Sequence, residues 1–311
     1  MSERNVVDEP IPVTVIGGYL GSGKTTLVNH LLRTSAGRRI AVLVNEFGAL
    51  PIDEDLIEAR DDTMIKLSGG CVCCSYGSDM MAALMDIQTL SPVPDHVLLE
   101  ASGVALPGAV AQSVTLLSSC KLDATVVMAD AETVKDRAAD PYLSNTITRQ
   151  LAAADIILLN KIDLVEATDL EDTYQWIGEA APEARILPAT QASIAPELLL
   201  GATRERDPHD TAYGHDESGT GHHALAIELN GPVDAEVLAG QLTARELDLV
   251  RAKGVVWGAD GIARAIQVVG RRWSVSKMPN AFTGSGRLVC IRVGGAVDEA
   301  TIRRAIGVVT G

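Results

Sequence analysis

Gly18-Tyr19-Leu20-Gly21-Ser22-Gly23-Lys24-Thr25 sets three glycines, a lysine and a hydroxyl at the spacing G-x-x-x-x-G-K-[ST]. Glycines let successive backbone N–H groups curl around phosphate oxygens. A helix starting at Lys24 would turn the positive end of its dipole toward the same oxygens. Lys24 can reach the β- and γ-phosphates of a nucleotide, and the Thr25 hydroxyl can ligate Mg²⁺. The expected phosphate site is therefore Gly18, Gly21, Ser22, Gly23, Lys24, Thr25 and the adjacent Thr26.

Asn160-Lys161-Ile162-Asp163 follows the apolar run DIILL. At the carboxyl end of a late strand, Asp163 can accept two hydrogen bonds from the ring N–H and the exocyclic amine of guanine. Adenine offers no such donor pair and would leave the carboxylate unpaired. Asn160 can contact the other edge of the base, and the Lys161 stem can lie over its face. These residues point to GTP and GDP rather than ATP. Glu100 closes the run HVLLE, where a carboxylate can hold Mg²⁺ directly or through water. Lys24, Thr25 and Glu100 are thus the expected catalytic residues. Gly103 can offer its N–H to the γ-phosphate. Asn45-Glu46-Phe47-Gly48, with Asp53 close behind, reads as a segment that responds to the nucleotide, Glu46 approaching the metal.

Cys71, Cys73 and Cys74 form a second chemical centre in GGCVCC. Three thiols in four positions suit a borderline ion such as Zn²⁺ or Co²⁺, and three protein ligands leave a fourth position open. Oxidation of adjacent thiols is one competing reading, and plain packing at a turn is another. Cys120 and Cys290 are isolated and read as core, and His30 and His96 read as structural. His209, His215, His222 and His223 fall in a polar stretch that reads as a solvated linker with loose metal capacity.

Apolar residues make up 47% of the 311-residue chain, ample for one large or two ordinary domains. A net charge of -15 excludes a broad phosphate-backbone surface and an electrostatic membrane anchor. No apolar run approaches a span, and MSERNVVDEP lacks the form of a signal peptide, so a cytoplasmic location is expected. The motifs do not specify an oligomeric state.

Positioning these groups takes strands that end beside one another. Strand-like runs occur at 12–16, 40–44, 96–99, 124–128 and 155–159, with helices at 24–33, 79–90 and 142–153. Their alternation predicts an α/β fold of the P-loop NTPase type, with a mostly parallel sheet. A second pattern predicts a smaller C-terminal α+β domain: strands at 224–229, 254–257, 264–269 and 288–293, and helices at 234–248 and 298–306. The expected division is 1–203, a polar linker 204–222, and 223–311.

Taken together, GGYLGSGKTTLVNHLL, VNEFG, GGCVCC, LLEASGVALP, LLNKIDL and RAKGVVW resemble, in order, the CobW-like metallochaperone GTPases, a group that includes the nitrile hydratase activators. The resemblance covers nearly the whole chain. It implies GTP-gated handling of a transition metal, held at Cys71, Cys73 and Cys74 and released to a client metalloprotein or cofactor pathway, with slow hydrolysis in the absence of metal or client. Two positions depart from the family pattern: Gly77 stands where many members carry Arg, and Ala101 where the acidic motif carries Thr. A metal or redox sensor using GTP as a structural ligand, and an activator dedicated to one metalloenzyme, stay open beside this reading.

Overall fold

β1 (Ile11–Gly18) reads IPVTVIGG and is buried along all but one of its residues. A strand without a polar face belongs at the centre of a sheet covered on both sides. The computed structural model, which describes residues 10–35, 37–45, 64–67, 78–201, 222–278, 282–294 and 299–305, places it there. Seven parallel strands run in the order β3 (Met64–Leu67), β2 (Ile40–Asn45), β4 (His96–Ala101), β1, β5 (Cys120–Asp130), β6 (Ile156–Asn160) and β7 (Arg185–Ala189). The carboxyl ends of β1, β4, β5 and β6 therefore share one edge, where ligands bind in open α/β sheets.

All five expected strands of this sheet are present, and β3 and β7 join them as its two edges. Neither edge has a strong strand signature. β3 is four residues long, and β7 contains Pro188, which an edge strand tolerates because one side needs no ladder donor. α1 (Lys24–Thr34) buries Leu27, Val28 and Leu31 against the sheet. The expected helix at 79–90 is Ser78–Asp86 continued by a 3₁₀ turn, Ile87–Thr89, and that at 142–153 is Ser144–Ala152.

The C-terminal region forms a five-stranded antiparallel sheet in the order β11 (Arg272–Lys277), β10 (Ala263–Val269), β9 (Leu249–Trp257), β12 (Gly286–Val293) and β8 (His222–Leu229). The helices Ala235–Leu242 and Glu299–Ala305 pack on one face through Leu238, Leu242 and Ile302. His222 and His223 are strand residues opposite Val293 and Arg292 rather than part of a linker.

The helix expected at 234–248 stops at Leu242, a 3₁₀ turn covers Arg245–Leu247, and Asp248 reverses the chain at φ 49°. β9 then begins at Leu249, not at 254. Arg251 and Lys253 carry charges that ordinarily face solvent, yet Arg251 is only 1% exposed. Its guanidinium meets Asp123 of β5, which is equally buried and also takes Lys253 Nζ at 3.1 Å and the Gln267 amide. Arg251 donates to Leu199 O at 3.1 Å, and Arg272 grips both oxygens of Asp155 at 2.8 Å. These charges join the two sheets at the amino ends of the parallel strands, beside a shared apolar cluster that includes Leu198, Leu199, Val250, Val269 and Ile291. Burial alone would raise the Asp123 carboxyl; Arg251 and Lys253 outweigh it and hold the group well below the usual carboxylate range. Among the described residues no helix is long and apolar enough to cross a membrane.

His96 lies beside this seam, 2% exposed, with Nε2 2.8 Å from Thr14 Oγ1. Burial is the main cause that lowers its pKa from 6.5 to about 3, with Lys253, Arg38 and Arg251 adding to it against Asp123. The folded value lies below the unfolded one, so the stability from neutral His96 is complete above pH 6.5 and lost as pH falls toward 3. Chemical denaturation at pH 7 and pH 5 is expected to show wild type losing about 2 kcal/mol more than His96→Gln. Equal losses would refute this assignment.

Candidate functional site

The loop between β1 and α1 is shaped by its glycines. Gly18, Gly21 and Gly23 adopt φ of 126°, 77° and 104°, a region that side chains with a Cβ rarely enter. A Cβ on Gly18 would sit 2.2 Å from Met128 O, and one on Gly23 would sit 2.6 Å from the Asn160 amide nitrogen. Lys24 is buried in the first turn of α1, with Nζ 3.5 Å from Tyr19 O, while Thr26 faces outward. Arg137 holds the outer side of the loop, donating to Leu20 O at 2.7 Å with its guanidinium over the Tyr19 ring.

Thr25 Oγ1 donates to Glu100 Oε1 at 3.2 Å, and Glu100 is 3% exposed at the end of β4. The sequence separates the two by 75 residues, and the order β4-β1 brings them together. Gly103 abuts the loop: a Cβ there would lie 2.5 Å from Leu20 Cδ2 and 2.9 Å from Leu20 N. The turn bearing Gly103 is held by Gln150, a buried side chain that donates to Gly103 O at 3.0 Å and Ala105 O at 2.8 Å.

Asn160 has both ends of its amide occupied. Nδ2 donates to Ser22 O at 3.0 Å, and Oδ1 accepts from Ala192 N at 2.8 Å. It therefore ties the phosphate loop, β6 and the segment after β7 into one unit. Lys161 follows at φ 63°, its Nζ 2.7 Å from Asp130 Oδ2, and Asp163 stands exposed in the 3₁₀ turn Ile162–Leu164. The structure thus gathers Gly18, Gly21, Ser22, Gly23, Lys24, Thr25, Thr26, Glu100, Gly103, Asn160, Lys161 and Asp163 along one edge of the sheet.

Sequence reasoning missed Asp130, Gln150, Arg137 and Ala192. Asp130 carried a faint signal, an acid shortly after the strand-like run at 124–128. The others declare themselves only through contacts across more than 30 residues of chain. Cys71, Cys73, Cys74, Glu46 and Asp53 lie outside the described residues, as do His209 and His215. Among the described residues no group of three His, Cys, Asp or Glu side chains is placed to hold a metal ion. Cys120 and Cys290 are buried free thiols, and burial pushes Cys290 up to about 12, which removes it from thiolate chemistry.

A nucleoside triphosphate with Mg²⁺ fits what this edge offers. The positive φ of Gly18, Gly21 and Gly23 gives the loop the curl that lets successive backbone N–H groups face phosphate oxygens. Thr25 and Glu100 supply the hard oxygen donors that Mg²⁺ takes.

A parallel sheet with a glycine loop entering a helix, a lysine and a hydroxyl at its head and an acid on the next strand defines a P-loop NTPase. Residues 12–188 match the family model described as CobW/HypB/UreG, nucleotide-binding domain, and residues 223–309 match that of the cobalamin synthesis protein cobW C-terminal domain. The chain belongs to the CobW/HypB/UreG family. It is 29% identical to a Sinorhizobium protein named zinc chaperone CobW, over 95% of this chain and 96% of that one. It is 30% identical to zinc chaperone YjiA of Escherichia coli K12, over 80% of this chain and 82% of that one. A Dictyostelium discoideum protein named zinc-regulated GTPase metalloprotein activator 1 is 30% identical over 62% of this chain and 48% of its own length.

Proposed function

We propose that this chain is a GTP-hydrolysing metallochaperone that holds Zn²⁺ or Co²⁺ at Cys71, Cys73 and Cys74 and passes it to a client metalloprotein or cofactor pathway. The single observation that carries the nucleotide half is the Asn160 amide, which binds the phosphate loop and the base-reading turn into one rigid frame. The thiol triplet and the relatives named as zinc chaperones support the metal half. Residues 1–203 serve as the GTPase unit, the stretch up to 221 as the connection, and the chain from His222, where β8 begins, as the C-terminal unit.

The phosphate loop and Lys24 bind and orient the triphosphate, with Lys24 Nζ meeting charge on the β- and γ-phosphate oxygens. Thr25 and Glu100 would hold Mg²⁺, which when bound neutralises phosphate charge. Gly103 would register the γ-phosphate and relay its loss through the turn that Gln150 holds, a role its close packing on Leu20 supports. Asp163 selects the base. Hydrolysis would release the metal from Cys71, Cys73 and Cys74 to the client. Turnover without metal or client is slow, as in other unaided GTPases of this mechanism.

Asp163→Asn tests the guanine assignment. The amide keeps one acceptor and gains a donor, a match for the ring N–H and O2 of xanthine. GTP affinity is expected to fall about a hundredfold while xanthosine triphosphate gains. Unchanged GTP affinity in an equilibrium titration would remove Asp163 from base recognition.

A further inference from the structure

Asp130 ends β5 directly beside Asn160, its register partner on β6. Its carboxylate is 4% exposed and fully engaged: Oδ1 accepts from Glu132 N at 3.0 Å and Oδ2 takes Lys161 Nζ at 2.7 Å. Ala131 N–H donates to Asn160 O at 2.9 Å, so the two strand ends are also joined through the backbone. Lys161 sits at φ 63°, a left-handed conformation that a residue with a long side chain keeps only where its surroundings over-determine it. Those surroundings are Asp130 on the side-chain end and the 3₁₀ turn Ile162–Leu164 on the main-chain end.

The chemistry of this arrangement lies in the stem rather than the charge. A lysine free in solvent samples many rotamers, and ordering it against a ligand weakens binding. With Nζ held by a buried carboxylate, the four methylenes of Lys161 are ordered before any nucleotide arrives. We propose that Asp130 is a positioning residue for nucleobase selection, fixing the Lys161 stem as an apolar wall of the purine pocket whose polar edge is Asp163. The inference rests on the reading of residues 160–163 as the guanine site.

Steady-state hydrolysis of GTP and ATP by the full chain tests it. Asp130→Asn keeps an acceptor for Glu132 N and loses the charge that holds Lys161. Its KM for GTP is expected to rise about tenfold with the loss absent from kcat, the signature of removed ground-state binding. Lys161→Met, a partly exposed position that keeps an apolar stem but has no ammonium to anchor, is expected to show a loss of similar size. The double variant is expected to be no worse than either single one, because both remove the same contact. Additive losses, or a fall in kcat for GTP and ATP alike, would make Asp130 a merely structural acid and overturn the proposal. So would a variant that keeps the full preference of wild type for GTP. A wild-type protein with no preference for GTP over ATP would instead overturn the guanine reading beneath the proposal, and the proposal with it.

Discussion

Lys24→Ala is expected to lower single-turnover GTP hydrolysis about a thousandfold, the scale set by removing a preorganised donor from a developing charge. Lys24 is buried at the head of α1, and its amine lies 3.5 Å from Tyr19 O, inside the curl of the phosphate loop. It is therefore placed to meet phosphate oxygens without reorganising, and the neighbouring cation Arg137 is turned to the outside of that loop, onto Leu20 O and the Tyr19 ring. Alanine keeps the helix, since its propensity exceeds that of lysine. The apo variant should melt close to wild type, so the loss would belong to chemistry rather than folding. Turnover within tenfold of wild type would show that Lys24 does not meet the transferring phosphate.

Asp123→Ala is expected to lower folding stability by about 3–5 kcal/mol, because it leaves a buried guanidinium without its counter-ion. Arg251 and Asp123 are each 1% exposed, and Lys253, Gln267 and the Arg38 guanidinium crowd the same seam. The contrast is Arg39 with Asp95, about half exposed on both sides. Asp95→Ala is expected to remain within about 1 kcal/mol of wild type, as surface pairs do. Asp123→Leu combined with Arg251→Met should recover part of the loss, since a buried pair is replaced by apolar volume. Urea midpoints of the variants give the comparison. A loss below 1 kcal/mol for Asp123→Ala would mean that water reaches the seam and that the two sheets are joined by their apolar cluster alone.

The two variants also mark where the sequence is readable and where it is not. The phosphate loop, Glu100 and Asn160–Asp163 are legible because each is a local pattern whose chemistry demands fixed spacing. The central strands are legible because burial on both faces makes them continuously apolar, as in β1 and β6. β9 misleads for the opposite reason. Arg251 is buried, and Lys253 reaches in from a half-buried position, only because Asp123, 128 and 130 residues away, is inside to meet them. No periodicity carries that information. The same holds for Gln150 under the Gly103 turn and for Ala192, whose N–H meets Asn160 from beyond β7. Edge strands leave a weaker signature because they are less constrained: β3 is short, and β7 tolerates Pro188. The residues that the structure gathers along the nucleotide edge are local patterns in the sequence, while most of what holds them in place is not.

In the proposed function the nucleotide controls the metal. A ligand shifts only an equilibrium whose two states it distinguishes, so nucleotide and metal must each change the other's affinity by the same factor. The direct measurement is Zn²⁺ affinity of the full chain, by competition with a chromophoric chelator, in Mg²⁺ with a non-hydrolysable GTP analogue and then with GDP. The account predicts affinities that differ by at least about tenfold, a coupling of roughly 1.4 kcal/mol, abolished when Cys71, Cys73 and Cys74 are replaced by serine. Equal affinities in the two nucleotide states would contradict it.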